Sequence, residues 1–258
     1  MSPSVLAIAA HPDDIEFTMS GTLLRLIELG WNAHYFNIAN GCCGTQTMSR
    51  EECATVRLQE AQAAAKLLAA EFLPPIRNDL EIFYDKPAMA EVSAVVRKVK
   101  PRIILTHALS DYMEDHQNAA RLAVFAAFSR GMPNWKSSPQ KPAFSEDIAV
   151  YHAQPHGNRT PSKQLVTPEL FVDTSDLMAR KRELLECHAS QNTWLDESQG
   201  MSSYLQTMSD LNAEVGEMSG RFAFAEGWTQ HLHLGLAASA DFDPLSEALS
   251  FWSLRPES

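Results

Sequence analysis

The sequence predicts an α/β fold, a Rossmann-like three-layer sandwich with a mostly parallel sheet. Short apolar runs alternate with helical patterns, and the first of these runs ends abruptly in a polar loop. With 258 residues, 45% of them hydrophobic, the chain can bury a substantial core as one domain. Strands and helices alternating at this spacing mark right-handed βαβ units, with helices on both faces of the sheet.

Val5 to Ala10 reads as the first strand, His11-Pro12-Asp13-Asp14 as its loop, and Phe17, Leu23, Leu24, Ile27 and Leu29 as one face of a helix ending at Gly30. Ala33 to Ala39 is the second strand. Ser49-x-x-Glu52 is a capping box heading a long Ala-rich helix that runs to about Ala70. Phe72 and Leu73 give a short third strand, Ala88 to Val99 an amphipathic helix, and Ile103 to Thr106 a fourth strand. A helix from Asp115 to Arg130 closes a Rossmann-like core over 1–130. Proline, glycine, serine and asparagine then make 131–170 irregular around one strand, Ile148 to Tyr151, a candidate substrate wall or lid. Residues 171–258 complete the domain with a strand at Leu170 to Val172, a helix from Ser175 to Ser190, another around Tyr204 to Met218, and a final edge strand from Thr229 to Leu234. The acidic, partly apolar tail Asp241 to Trp252 is a packing helix or a subunit contact, which leaves a homo-oligomer open.

The formal net charge of -11 repels nucleic acid and anionic membranes. No apolar stretch approaches the roughly 18 residues of a spanning helix, and Met1 to Ala10 lacks the features of a signal peptide. A cytoplasmic protein is expected. Cys42, Cys43, Cys53 and Cys187 form no C-x-x-C pair, and the vicinal two cannot easily bridge each other, so reduced thiols are expected.

A dinucleotide-binding fold places small residues in its first strand-to-helix turn, where a pyrophosphate approaches the helix N-terminus. Here that turn holds His11, Asp13 and Asp14, which repel phosphate and suit a cation. Helix capping explains one aspartate, not a histidine and a second aspartate beside it. Asp111 to His116 is a second polar turn. With strand order 3-2-1-4-5, strands one and four are neighbours and the two turns meet at the topological switch point. Two imidazoles and one carboxylate would then leave positions open for water, as catalytic zinc sites do. His116 read alone is more often a structural histidine or a helix N-terminal residue, and its expected position opposite the His11 loop favours ligation.

Ala10-His11-Pro12-Asp13-Asp14-x-Glu16 resembles the A-H-P-D-D-x-E signature of the PIG-L/LmbE family of metal-dependent N-deacetylases. Asn40-Gly41-x-x-Gly44-Thr45, Val56-Arg57-x-x-Glu60, Asn78-Asp79-Leu80, Lys100 to His107, Asp115-His116, Lys181, His188-x-Ser190-Gln191 and Ala225-Glu226 follow in the family's order, over about 5–240. The resemblance implies an LmbE-like fold and a hydrolase removing an N-acetyl group from a small amino sugar or sugar conjugate. It implies a metal ligand set of His11, Asp14 and His116 for Zn2+ or another divalent metal such as Fe2+. It also implies Asp13 as general base, Asp115 as an acceptor orienting an imidazole, and Arg57 and Asp79 as substrate contacts. An ion pair with Glu60 on the same helix face is the other reading of Arg57.

One departure is sharp. The family usually reads H-x-D-H at the second turn, its first histidine donating to the developing oxyanion, and here Met113 stands there. A thioether cannot donate. Tyr112, His107, His231 and His233 are candidate replacements, with Tyr112 or the His231/His233 pair preferred. Without one the enzyme would be slow, act on a bulkier or more activated amide, or be a sugar-binding relative that has lost turnover. The same two histidines and carboxylate could hold Fe(II) for oxygen chemistry, against which Asp13 beside the ligands argues.

Overall fold

β1 (Ser4–Ala9) has helices on both sides, and its alternating side chains build two separate cores. Val5, Ala7 and Ala9 face one, Leu6, Ile8 and Ala10 the other, and all six are fully buried. This period-two split is what a strand covered on both faces requires. In the computed structural model, which describes residues 2–191 and 204–256, the strands join one sheet in the order β3-β2-β1-β4-β5-β7-β6-β8. β2 (Asn32–Asn37), β3 (Glu71–Leu73), β4 (Ile103–Thr106) and β5 (Ala149–Ala153) pair in parallel through β1, giving the expected 3-2-1-4-5 order. β7 (Ala225–Gln230) pairs antiparallel with both β5 and β6 (Leu170–Asp173), and β8 (Ser253–Leu254) pairs antiparallel with β6. The mostly parallel α/β sandwich expected from the sequence is the fold observed.

On one face α1 (Asp14–Thr18), α2 (Ser20–Glu28), α3 (Arg50–Leu68) and α6 (Met178–Glu186) cover the sheet, with Leu23, Leu26, Ala61, Ala65 and Leu184 in the core. On the other, α4 (Lys86–Val99) and α5 (Glu114–Ser129) contribute Ala88, Val92, Val96, Ala119, Leu122 and Ala126. The Ser49/Glu52 capping box heads α3 with both of its hydrogen bonds formed. Asp85 caps α4 by accepting from the Ala88 N–H. α7 (Tyr204–Ser219) lies against β7 and β6, and α8 (Pro244–Ala248) precedes β8.

Several boundaries differ from the sequence expectation. The first helix is two, interrupted at Met19, because the Glu226 carboxylate on β7 accepts the N–H groups of Gly21 and Thr22 and gives α2 its own N-terminal partner. Leu170 to Val172 extends to Asp173, while the helix expected from Ser175 to Ser190 begins at Met178 and breaks after Glu186, helical backbone resuming at Ala189. The final strand is not an edge: β7 sits between β5 and β6, and His231 and His233 lie beyond its end. The tail from Asp241 folds back, burying Leu245 and Leu249 in the core. The irregular stretch also divides. Its first part packs against α4, where the Arg97 guanidinium donates to the carbonyls of Ser129, Met132, Trp135 and Lys141, and of its described residues only Gln154 and His156 line the cleft at the carboxyl ends of β1 and β4. Among the described residues no helix is long and apolar enough to cross a membrane.

Candidate metal centre

The loops leaving β1 and β4 meet at the carboxyl ends of these adjacent strands, where strand order reverses. A cleft of about 390 Å³ opens there, lined by His11, Asp13, Asp14, Arg57, Asp79, Asp111 and His116 among others. His11, Asp14 and His116 each bring one ligand atom into a group within 4.8 Å of one another.

The tautomers follow from the hydrogen bonds around the rings. His11 Nε2 lies 3.0 Å from Asp115 Oδ2, and His116 Nδ1 lies 3.0 Å from Asp111 Oδ1. Both carboxylates accept, so each histidine donates outward and turns its other nitrogen inward. His11 Nδ1 is then 3.5 Å from Asp14 Oδ2, and His116 Nε2 is 3.4 Å from Asp14 Oδ1. His116 Nε2 is buried without a hydrogen-bond partner among the described residues. Two lone pairs and a carboxylate converging on one point, one nitrogen otherwise orphaned, fit a divalent ion.

The electrostatics favour positive charge at that point. Burial opposes charge on His11 and His116, yet the surrounding carboxylates, Asp115 and Asp14 for one, Asp14 and Asp111 for the other, push them up to about 9 and about 10. Burial works against the Asp14 anion too, but His116, the largest of the opposing influences, holds its carboxyl well below the usual range. His107 stacks on His116 with ring centroids 4.2 Å apart. Its Nε2 is near both the Ala10 N–H at 3.0 Å and Asp14 Oδ2 at 3.2 Å. Burial keeps His107 below its ordinary pKa, so the neutral ring accepting from Ala10 is the consistent arrangement.

Asp13 stands apart from the ligand set. Its φ of 105° is unusual for a residue with a side chain, and although it occupies the N-cap of α1 its carboxylate makes no capping hydrogen bond. The carboxylate instead lies 3.2 Å from Arg57 Nη2 and accepts from the Tyr204 hydroxyl. Burial raises its pKa against the pull of Arg57, the direction a proton acceptor needs near neutral pH. Arg57 is buried and also donates to the Pro12 and Gly41 carbonyls. The alternative pairing with Glu60 is not observed: Glu60 accepts from the backbone N–H and hydroxyl of Ser190. Asp79 accepts from the Gly41 and Cys43 N–H groups at 2.6 and 2.9 Å while lining the cleft.

Of the proposed replacements for the missing histidine, Tyr112 lines the cleft on a ring 63% exposed, while His231 and His233 do not line it. His231 Nδ1 is 3.0 Å from His152 Nε2, beside a separate groove. The sequence reading gave no role to Asp111, His156 or Tyr204. Each acts through a contact between distant segments, and no spacing announces it. Glu16 and His188 stand in the family-like motifs and Tyr35 in none of them. They form a fully buried group behind Asp13, in which Glu16 accepts from the Tyr35 hydroxyl and faces His188 Nε2 at 3.2 Å.

An α/β chain presenting two outward-donating histidines and a carboxylate at its switch point has the architecture of a metal-site hydrolase. Comparison with known proteins agrees: residues 6–127 match the PIG-L family, described as GlcNAc-PI de-N-acetylase. The family resemblance of the Ala10–Glu16 segment is thereby borne out, over a match that spans a little under half of the chain. The diacetylchitobiose deacetylase of Thermococcus kodakarensis is 28% identical over 236 residues, covering 86% of this chain and 81% of that protein. The 4-oxalmesaconate hydratase of Pseudomonas putida is 26% identical over 196 residues, covering 73% and 74%. The structure of N,N'-diacetylchitobiose deacetylase from Pyrococcus horikoshii superimposes with a TM-score of 0.73 at 23% identity, covering 92% of this chain and 87% of that one.

Proposed function

We propose that this chain is a metal-dependent hydrolase that removes an N-acetyl group from an amino sugar or sugar conjugate. The observation that carries the proposal is the division of labour among adjacent carboxylates: Asp14 joins His11 and His116, while Asp13 is held apart by Arg57 and Tyr204. His11, Asp14 and His116 would hold the ion, zinc in the first instance and Fe2+ as the alternative, with Asp115 and Asp111 orienting the imidazoles. When bound, such an ion polarises the amide carbonyl and makes water more acidic. Asp13 accepts the proton of the attacking water and returns it to the departing amine, which is otherwise a very poor leaving group. Arg57 fixes the position of Asp13 and, with Asp79, offers contacts to the substrate at the cleft wall. A volume of about 390 Å³ suits one sugar unit and its acyl group within the general range of about 300–1,000 Å³ for small-molecule sites.

Similarity to a hydratase makes water addition the competing activity. Apart from the ion that His11, Asp14 and His116 would hold, the cleft offers little positive charge to a multiply anionic substrate of the kind that relative's name describes. Among the described residues Arg57 is the only lysine or arginine lining the cleft, it is engaged with Asp13, and Asp13, Asp14, Asp79 and Asp111 line the same cleft. A neutral, hydroxyl-rich substrate meets no such repulsion.

The test is a free-amine assay on N-acetylglucosamine, diacetylchitobiose and bulkier N-acyl sugar conjugates, using zinc- or iron-loaded protein and its Asp13→Asn variant. Amine release that falls at least about 100-fold in the variant, with bound metal retained, is expected. Hydration of an unsaturated dicarboxylate without amine release from any amide would replace the deacetylase reading. Undiminished activity in Asp13→Asn would remove the general base.

A further inference from the structure

Met113 leaves acyl transfer without the family's usual hydrogen-bond donor for the oxyanion, and apart from the Tyr112 hydroxyl, on a residue 63% exposed, the principal donors of the cleft have other partners. His11 and His116 donate to Asp115 and Asp111, His107 Nε2 accepts from Ala10, and Arg57 is held by Asp13 and two backbone carbonyls. His156 is different. It follows β5 in a single 3-10 turn (His156–Asn158) and lines the same cleft as His11, Asp14 and His116. Its ring sits between Phe17 and Tyr112, with centroids at 5.2 and 5.5 Å. Its backbone N–H donates to Asp111 Oδ2 at 3.1 Å, and the other oxygen of that carboxylate receives His116 Nδ1 at 3.0 Å. One carboxylate therefore ties the His156 turn to a histidine of the metal centre. Among the described residues no side chain hydrogen-bonds to the His156 imidazole. Burial lowers its pKa, which leaves the ring neutral and still carrying one N–H.

Resting on the deacetylase reading, we propose that His156 is the oxyanion donor of this site, supplying from β5 the N–H that Met113 cannot supply from the β4 loop. As the water oxygen bonds to the acyl carbon, its proton passes to Asp13 and the carbonyl π pair moves onto oxygen, where the His156 N–H donates. When that pair returns, the C–N bond breaks and the amine departs with the proton from Asp13. His156 holds its own proton throughout, so its contribution is hydrogen bonding to developing charge.

His156→Phe keeps a ring between Phe17 and Tyr112 but removes the donor, whereas His156→Gln keeps an N–H. The expected result is a loss of about 10²–10³-fold in kcat for the phenylalanine variant with KM nearly unchanged, as for other single oxyanion donors. Bound metal per chain stays at the wild-type value, and the glutamine variant recovers part of the loss. Adding Met113→His to His156→Phe restores activity at least about tenfold, because the donor returns from the family's usual position. By calorimetry, a tetrahedral methylphosphonamide analogue of glucosamine loses more affinity in His156→Phe than N-acetylglucosamine does. A wild type that releases amine while His156→Phe stays within threefold of it, metal retained, overturns the donor assignment alone. An equal loss for the planar and tetrahedral ligands also overturns it. A wild type inert on every amide overturns both the donor and the deacetylase reading.

Discussion

His116 is defined by the nitrogen it leaves free. Asp111 takes its Nδ1 and so aims the lone pair of Nε2 at Asp14. Removing the acceptor in Asp111→Ala frees the ring to rotate and to change tautomer, which typically lowers metal affinity 10–100-fold, a range of about 1.4–2.7 kcal/mol. Competition with a chromophoric chelator should give that loss, and an unchanged dissociation constant would show that Asp111 does not orient the ligand. At this scale the sequence was informative where chemistry is contiguous. His11, Asp13 and Asp14 share one turn, and that crowding exceeds what capping explains. Asp111 and His156 are 45 residues apart, and Asp13 and Tyr204 are 191 apart; they meet only because β4 and β5 end together and α7 packs against α6. The sequence marked the donor lost at Met113 but not the histidine across the cleft.

At the scale of elements, strands and helices were legible wherever apolar periodicity ran unbroken, as in β1, β4 and the capped α3. The break at Met19 was not, because its cause is the fully buried pair of Lys181 and Glu226. Glu226 accepts from Gly21, Thr22 and the Lys181 ammonium at once, so β7 and α6 jointly set where α2 begins. An added Cβ at Gly21 would lie 3.0 Å from Glu226 Oε1 and would also meet Thr174 in the turn after β6, which shows how closely α2 and β7 approach. Lys181→Met leaves a carboxylate buried without its cation and should cost about 3–5 kcal/mol in denaturant unfolding. The double variant Lys181→Met/Glu226→Gln removes both charges, so it should cost less than Lys181→Met alone. If the double variant is the less stable of the two, the pair is not the electrostatic unit described.

For the whole molecule, alternating strands and helices predicted the parallel half of the sheet and its switch point, whereas the antiparallel half depends on long returns from β5 to β7 and from β6 to β8. One consequence of that closure concerns acid stability. His152 on β5 is buried, with Nδ1 2.8 Å from the His107 carbonyl and Nε2 3.0 Å from His231 Nδ1. A neutral ring satisfies both contacts, donating to the carbonyl and accepting from His231. Burial, aided by His231, lowers its pKa from 6.5 to about 4. In the unfolded chain the same ring takes up a proton near pH 6.5. Between these values the unfolded state binds more protons than the folded one, so stability rises with pH across the window and is lost as pH falls from 6.5 towards 4. Integrated over the shift, the loss attributable to His152 is about 3 kcal/mol. Other groups titrate in the same range, and a difference measurement separates them. In His152→Asn the amide can still donate to the carbonyl but does not titrate, so its unfolding free energy should fall less steeply between pH 7 and pH 4. The advantage of wild type over the variant should accordingly shrink by up to about 3 kcal/mol across that interval. Parallel pH profiles for the two proteins would mean that His152 is not the group coupling the antiparallel half of the sheet to acid.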